Sequence, residues 1–238
     1  MDIILKKHIP LTKRDIHIWK FEIDAAVEDL SVYQTLLNKY EEGRASKFKF
    51  SEDRERFLWG RILLKRLLGA YLDENTEAII LNSTSGGKPF LEKKEHQHIQ
   101  FNVSHSGNII ILGFSRSPIG VDVEMISRQV DIDRVSRNYF SMDERKAIDR
   151  VSEESKEIIF FDIWTKKEAV IKGIGKGLGI PLKSFNVLDD EGHVKWKPES
   201  KASTSDWYVH YVDVKPAYKA AFATSIEDFE LSYFSLNE

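Results

Sequence analysis

Residues 15–23 alternate apolar and polar positions around Ile16, Ile18, Phe21 and Ile23, and a period of two predicts a strand. Over 24–40 the apolar positions Leu30, Tyr33, Leu36 and Leu37 share one helical face. A charged stretch follows at 41–49, with Phe48 and Phe50 as anchors, and Ser51 then precedes a long helix to about Tyr71. Its buried stripe is expected to be Phe57, Leu58, Leu64, Leu67 and Leu68, leaving Arg54, Arg56, Arg61, Lys65 and Arg66 as a solvated face. A short strand at 78–82 enters the turn-rich segment 83–89, and 93–97 is polar loop. Residues 99–103 and 109–114 read as strands, the first running into Ser104-His105-Ser106-Gly107. Ser115 to Pro118 then turns the chain into a third strand, 119–124.

Beyond that strand, 131–137 begins a helical segment, and Ser141 with Glu144 forms a capping-box pattern. A further helix spans about 153–173, and 185–187, 207–213 and 217–224 read as strands, the last two a hairpin around Lys215-Pro216. The two halves echo each other. Phe50-Ser51-Glu52-Asp53 resembles Phe140-Ser141-Met142-Asp143, and each half ends in paired strands, 99–114 and 207–224. Two copies indicate a duplicated α+β unit rather than a solenoid, which needs three or more repeats. The join falls near Pro118, giving lobes of 1–117 and 118–238.

Composition narrows the chemistry. A chain of 238 residues with 42% hydrophobic and 31% charged residues is an ordinary globular protein able to bury its cores. A net charge of −3 argues against bulk nucleic-acid binding. The absence of cysteine excludes disulfides, thiolate catalysis and Cys-based zinc sites, and fits a reducing compartment. No signal-peptide core and no membrane-length apolar run is evident, so a cytoplasmic location with no membrane partner is expected.

In 119–124, Val121 and Val123 point one way and Asp122 and Glu124 the other. Adjacent carboxylates repel unless something positive sits between them. Without cysteine, the natural guest is a hard divalent cation such as Mg²⁺, and the alternative is a solvated edge strand with two ordinary acids. Over 164–172, Trp164, Glu168 and Lys172 stack at i, i+4 and i+8. Glu168 and Lys172 are either a plain ion pair worth roughly tenths of a kcal/mol or, beside 119–124, a third oxygen ligand and a cation for a bound phosphate. Ser104 and His105 point to opposite faces of a strand and cannot act as a nucleophile–base pair. They suit a phosphate-holding loop, or else His105 is structural. The glycine-rich 173–179 fits neither nucleotide-loop pattern and reads as a helix stop. His96 and His98 read as solvated loop residues rather than metal ligands.

Four segments in order resemble the 4′-phosphopantetheinyl transferase superfamily in its two-lobed, Sfp-type branch. They are Gly87-Lys88-Pro89, Phe101 to Gly107, Gly120 to Glu124, and Trp164-x-x-Lys167-Glu168-Ala169-x-x-Lys172. The resemblance runs from about Arg44 to Leu182. It implies an α+β pseudo-dimer of two similar lobes, monomeric, with the active site in the cleft between them. It further implies Mg²⁺-dependent transfer (Mn²⁺ as a substitute) of the phosphopantetheine arm of coenzyme A to a serine of an acyl or peptidyl carrier protein, releasing adenosine 3′,5′-bisphosphate. On that resemblance Asp122, Glu124 and Glu168 hold the metal, and Glu168, Lys172 and Asp122 are catalytic. Arg44, Ser104 and His105 hold the 3′-phosphate, and Gly87, Lys88 and Pro89 form the adenine-side loop. The base is Glu168 or a water at the metal. Glu41 and Phe57 stand where some members carry basic or hydroxyl groups, which shifts weight to Arg44, His105 and either Arg56 or Arg61. The first lobe would serve the CoA nucleotide, and the second the metal, the catalytic helix and carrier docking over 137–160. Fatty-acid, polyketide and nonribosomal-peptide carriers all remain open as partners. The rival readings are a non-catalytic CoA-binding protein of the same fold and another Mg²⁺-dependent nucleotide transferase.

Overall fold

The computed structural model describes residues 8–23, 30–84, 87–127, 129–175, 179–196 and 206–236. The first alternating run forms β1 (Asp15–Glu22). The helix expected over 24–40 is not continuous in its described part. Residues Leu30–Leu36 form a 3-10 helix, and α1 (Lys39–Ala45) starts anew. The reason is a second start signal: the Asn38 side chain caps Glu41 N–H, and Glu41 reaches back to Asn38 N–H, completing a capping box. Next come α2 (Ser51–Leu72), the hairpin β2 (Leu81–Ser83) and β3 (Pro89–Leu91), then β4 (Gln100–Ser106) and β5 (Ile109–Ser115). The second lobe runs β6 (Ile119–Met125), α3 (Ile132–Tyr139), α4 (Met142–Asp149), α5 (Glu153–Ile174), the pair β7 (Phe185–Asn186) and β8 (Lys195–Trp196), then β9 (Tyr208–Tyr211) and β10 (Tyr218–Thr224). A last strand that the pattern did not announce, β11 (Glu230–Ser235), pairs parallel with β1, so the chain's end lies in the first lobe's sheet.

The main sheets run β11-β1-β5-β4 and β6-β10-β9. Apart from β11 they share one topology, in which a first strand pairs antiparallel with the lobe's last hairpin strand. In each lobe a short helix precedes a 22-residue helix. The echo at Phe50 and Phe140 is misplaced, because Ser51 already lies within α2 and makes no cap. The true correspondence joins the capping boxes Asn38–Glu41 and Ser141–Glu144. It extends inward: Glu41 pairs with Lys65 of α2 at 2.7 Å, and Glu144 with Lys167 of α5 at 2.9 Å, all four side chains buried. Counting inward from the matched ends Ser115 and Thr224, Asp122 of β6 occupies the place of Trp19 in β1, and Glu124 that of Phe21. The duplicated fold therefore offers acids at this register in the second lobe alone.

The two sheets face each other through Ile16, Ile18, Ile109 and Ile111 on one side and Val121, Val123, Ala220 and Phe222 on the other. The opposite faces of β1 and β6 turn toward separate lobe cores, around α2 and α5. The expected solvated basic face of α2 is only partly so. Arg54 is exposed, but Arg61, Lys65 and Arg66 are buried; Lys65 donates to Glu41 of α1 and to the Leu36 carbonyl of the 3-10 segment, and Arg66 to the Tyr33 hydroxyl of that segment. Among the described residues no helix is long and apolar enough to cross a membrane.

Candidate active site

Two glycines let β6 and α5 meet backbone to backbone. A Cβ at Gly120 would overlap the Ala169 carbonyl oxygen and the Gly173 nitrogen, and one at Gly173 would overlap the Trp207 ring. This close approach puts Glu168 and Lys172, one turn apart on α5, against the acidic face of β6. Lys172 Nζ donates to Asp122 Oδ1 at 2.5 Å and to Ser104 Oγ at 3.0 Å. Ser104 Oγ also donates to Asp122 Oδ1 at 3.0 Å, and Ser106 Oγ donates to Glu124 Oε2 at 3.0 Å.

Electrostatically the site is short of positive charge. Burial pushes the Asp122 carboxyl up, against the pull of Lys172 and Ser104. Glu124 and Glu168 are also pushed up, first by burial and then by the Asp122 charge. Asp122 Oδ2 is buried with no hydrogen-bond partner, a condition native proteins rarely leave unmet. An orphaned carboxylate oxygen with two further acids beside it is the donor set of a hard, oxygen-loving cation, so the residues fit Mg²⁺ or Mn²⁺. The acids Asp122, Glu124 and Glu168 are not drawn together to metal-ligand spacing; among the described residues the group that is comprises Asp189, Glu191 and His193. It lies in a loop where Lys195 already holds Asp189 at 2.5 Å.

Beside the acids, on the first lobe, Arg44, Arg61, His105, Gly87 and Pro89 line a pocket of about 140 Å³ with Phe57 on its wall. The Arg44 and Arg61 guanidinium groups stand 5.1 and 5.3 Å from the Phe57 ring centroid, a stacking that holds two cations at one site. Burial holds Arg61 below the usual arginine range, and Arg44 lowers it further against the opposing pull of Glu41. His105 stays exposed at the rim, where partial desolvation, Lys172 and Arg56 hold its ring below the ordinary histidine range.

Strand alternation divides the residues grouped by resemblance. His105 faces the basic pocket with Arg44, Gly87 and Pro89, whereas Ser104 faces Asp122 and Lys172. Lys88 leaves the pocket side and donates across the lobes to the Lys172 and Gly173 carbonyls at 2.7 and 3.2 Å, closing the end of α5. Burial lowers its pKa to about 8. Arg61 joins the pocket, while Arg56 instead holds the Gly107 carbonyl at 3.1 Å and pairs with Asp53. The glycine-rich stop is seen at Gly175, left-handed at φ 76°; residues 176–178 of that motif lie outside the described residues. His96 sits 3.0 Å from Glu74, and His98 bonds the Glu95 carbonyl.

Ser106 and Asn102 escaped the sequence reading as side chains that reach β6 from the first lobe. Their signal is the period of two in Asn102-x-Ser104-x-Ser106, polar on one face of a strand that carries Phe101 and Val103 on the other.

Residues 24–116 match the family model described as 4′-phosphopantetheinyl transferase, N-terminal, and residues 118–224 that of the 4′-phosphopantetheinyl transferase superfamily. The chain is 31% identical to the 4′-phosphopantetheinyl transferase HetI of Nostoc sp., over 72% of its own length and 73% of that protein. It is 29% identical to Sfp of Bacillus subtilis, over 85% and 88%, and 31% identical to psf-1 of Bacillus pumilus, over 76% and 75%. An acidic strand, a Glu–Lys helix and a basic pocket thus meet in a sequence similar to these 4′-phosphopantetheinyl transferases, and the chain belongs to the 4′-phosphopantetheinyl transferase superfamily.

Proposed function

We propose that the protein transfers the phosphopantetheine arm of coenzyme A to a serine of an acyl or peptidyl carrier protein in a Mg²⁺-dependent reaction. The observation that carries the reading is Asp122 Oδ2, buried and unpartnered among Glu124, Glu168 and Lys172 and next to a two-arginine pocket. Arg44, Arg61 and His105 bind the 3′-phosphate of CoA, whose compact dianion matches two stacked guanidinium groups. Asp122, Glu124 and Glu168 would hold a divalent cation, which supplies charge neutralisation as the phosphoanhydride opens. Lys172, on the adjoining helix face, meets the charge that develops on the leaving phosphate.

The carrier serine hydroxyl attacks the β-phosphorus, and the bond from that phosphorus to the bridging oxygen breaks. The serine proton passes to Glu168, and adenosine 3′,5′-bisphosphate leaves. A carboxylate whose pKa is pushed up by burial is a better base than a solvated one. With both lobes on one chain, a monomer suffices. The carrier docks on the second lobe, where Tyr139, Met142 and Ile158 stand exposed.

Incubation with CoA, Mg²⁺ and apo carrier domains of fatty-acid, polyketide and peptide-synthetase type, followed by mass spectrometry, should show the added arm on at least one. No gain on any of them removes the proposal. Arg44→Ala should raise the KM for CoA at least ten-fold, and far less for dephospho-CoA. Equal effects would place Arg44 on another part of the ligand.

A further inference from the structure

Three side chains of β4 make one repeated contact with the edge of β6. Asn102 Oδ1 accepts the Val121 N–H at 2.9 Å, Ser104 Oγ that of Val123 at 3.3 Å, and Ser106 Oγ that of Met125 at 3.1 Å. Alternate side chains of a strand share a face, and alternate N–H groups of an edge strand share a direction, so period two on both sides builds a ladder. In the first lobe the matching edge of β1 is covered by the backbone of β11. In the second lobe side chains from the other lobe take the strand's place.

The serines do something Asn102 does not. A hydroxyl donates as well as accepts. Ser104 Oγ donates to Asp122 Oδ1 and Ser106 Oγ donates to Glu124 Oε2, both at 3.0 Å. Each serine thus ties one residue's carboxylate to the next residue's N–H, closing a small ring that fixes the acid's rotamer against its own backbone. On the Asn102 rung the preceding residue is Gly120, which has no carboxylate to orient.

We propose that Ser106 is a positioning residue for Glu124, as Ser104 is for Asp122, so that a first-lobe strand sets the geometry of the second lobe's metal-binding acids. The inference rests on the metal reading above. Two neighbouring acids repel, and without these donors their side chains would swing apart. Groups that orient metal ligands typically carry about 10–100-fold of metal affinity. Ser106 is the cleaner probe, because Ser104 also accepts from Lys172.

The test titrates Mn²⁺ into the full protein with saturating CoA, counting free Mn²⁺ by EPR, with melting temperature measured alongside. Ser106→Ala should weaken Mn²⁺ binding about ten-fold or more, and Ser106→Thr, which keeps the hydroxyl, should restore it. Asn102→Ala removes the same kind of backbone acceptor without touching an acid. It should lower the melting temperature yet leave Mn²⁺ affinity within about two-fold. Mn²⁺ affinity in Ser106→Ala within two-fold of the unaltered protein would overturn the inference and leave Ser106 as a stitch between lobes. Absence of Mn²⁺ binding in the unaltered protein would instead overturn the metal reading, and this inference with it. Should Ser106→Ala fail to fold, Ser106→Cys supplies the comparison, and unchanged affinity there overturns the inference equally.

Discussion

Gly120 carries more of the site than any charged residue's own chemistry suggests. Asp122 and Glu124 could be read from alternation alone, and Glu168 and Lys172 from a spacing of four. What no local pattern revealed is that β6 and α5 touch, because that depends on two glycines 53 positions apart in the chain lacking side chains at the same point. Gly120→Ala should therefore push α5 off the strand. Overpacking of this kind costs about 1–3 kcal/mol or more, and carrier modification should fall with it, since Glu168 and Lys172 move together. Gly43→Ala is the matched control: a Cβ there meets nothing within 4 Å inside α1, and the change should stabilise by up to about 1 kcal/mol. Thermal melts and transfer rates of the two variants check this, and equal melting temperatures would show that the close approach is not needed.

At the scale of elements, a buried ion pair holds each long helix to the short helix before it. Lys167 lies 2.9 Å from Glu144 and donates to the Leu182 and Phe185 carbonyls at 2.8 Å each, with Phe185's ring 4.3 Å away. Glu144 spends its other oxygen on the Ser141 N–H, so one side chain caps α4, takes Val187 N–H and anchors α5. The capping box at Ser141 was legible, and Asn38-x-x-Glu41 has the same form, but the helical spacing of apolar positions over 24–40 runs across Asn38 and masks it. The lysines were not legible, because the rule that charge runs are solvated considers one helix alone, and the paired acid comes from another. Lys167→Met should cost about 3–5 kcal/mol, since a carboxylate is left buried without its cation. Adding Glu144→Gln should recover part of that loss. Denaturant titration of the single and double variants measures it, and a single variant as stable as the parent would mean that the pair is energetically idle.

At the scale of the whole molecule, the duplicated α+β plan was readable because both halves repeat the same order of elements. The return of β11 to β1 was not. Its pairing partner lies more than 200 residues away, and its parallel register leaves no local turn signal. Lys88 is the other long-range tie: the resemblance puts it in an adenine-side loop, whereas this first-lobe ammonium closes the last turn of α5 in the second lobe. Its burial lowers the folded-state pKa from 10.5 to about 8, which fixes the sign of a pH effect. Below pH 8 both folded and unfolded chains hold the proton, and the folded state bears the full desolvation cost. Between about pH 8 and 10.5 the unfolded chain binds more protons, so the Lys88 contribution to stability rises with pH. Other groups titrate in the same range, but they are common to Lys88→Met, so the difference between the two proteins isolates this one. The melting temperature of the parent minus that of Lys88→Met should therefore be larger at pH 10 than at pH 7.5. A difference that stays flat or shrinks over that interval would mean that Lys88 keeps an ordinary pKa, and that the carbonyls of Lys172 and Gly173 stabilise its charge enough to offset burial.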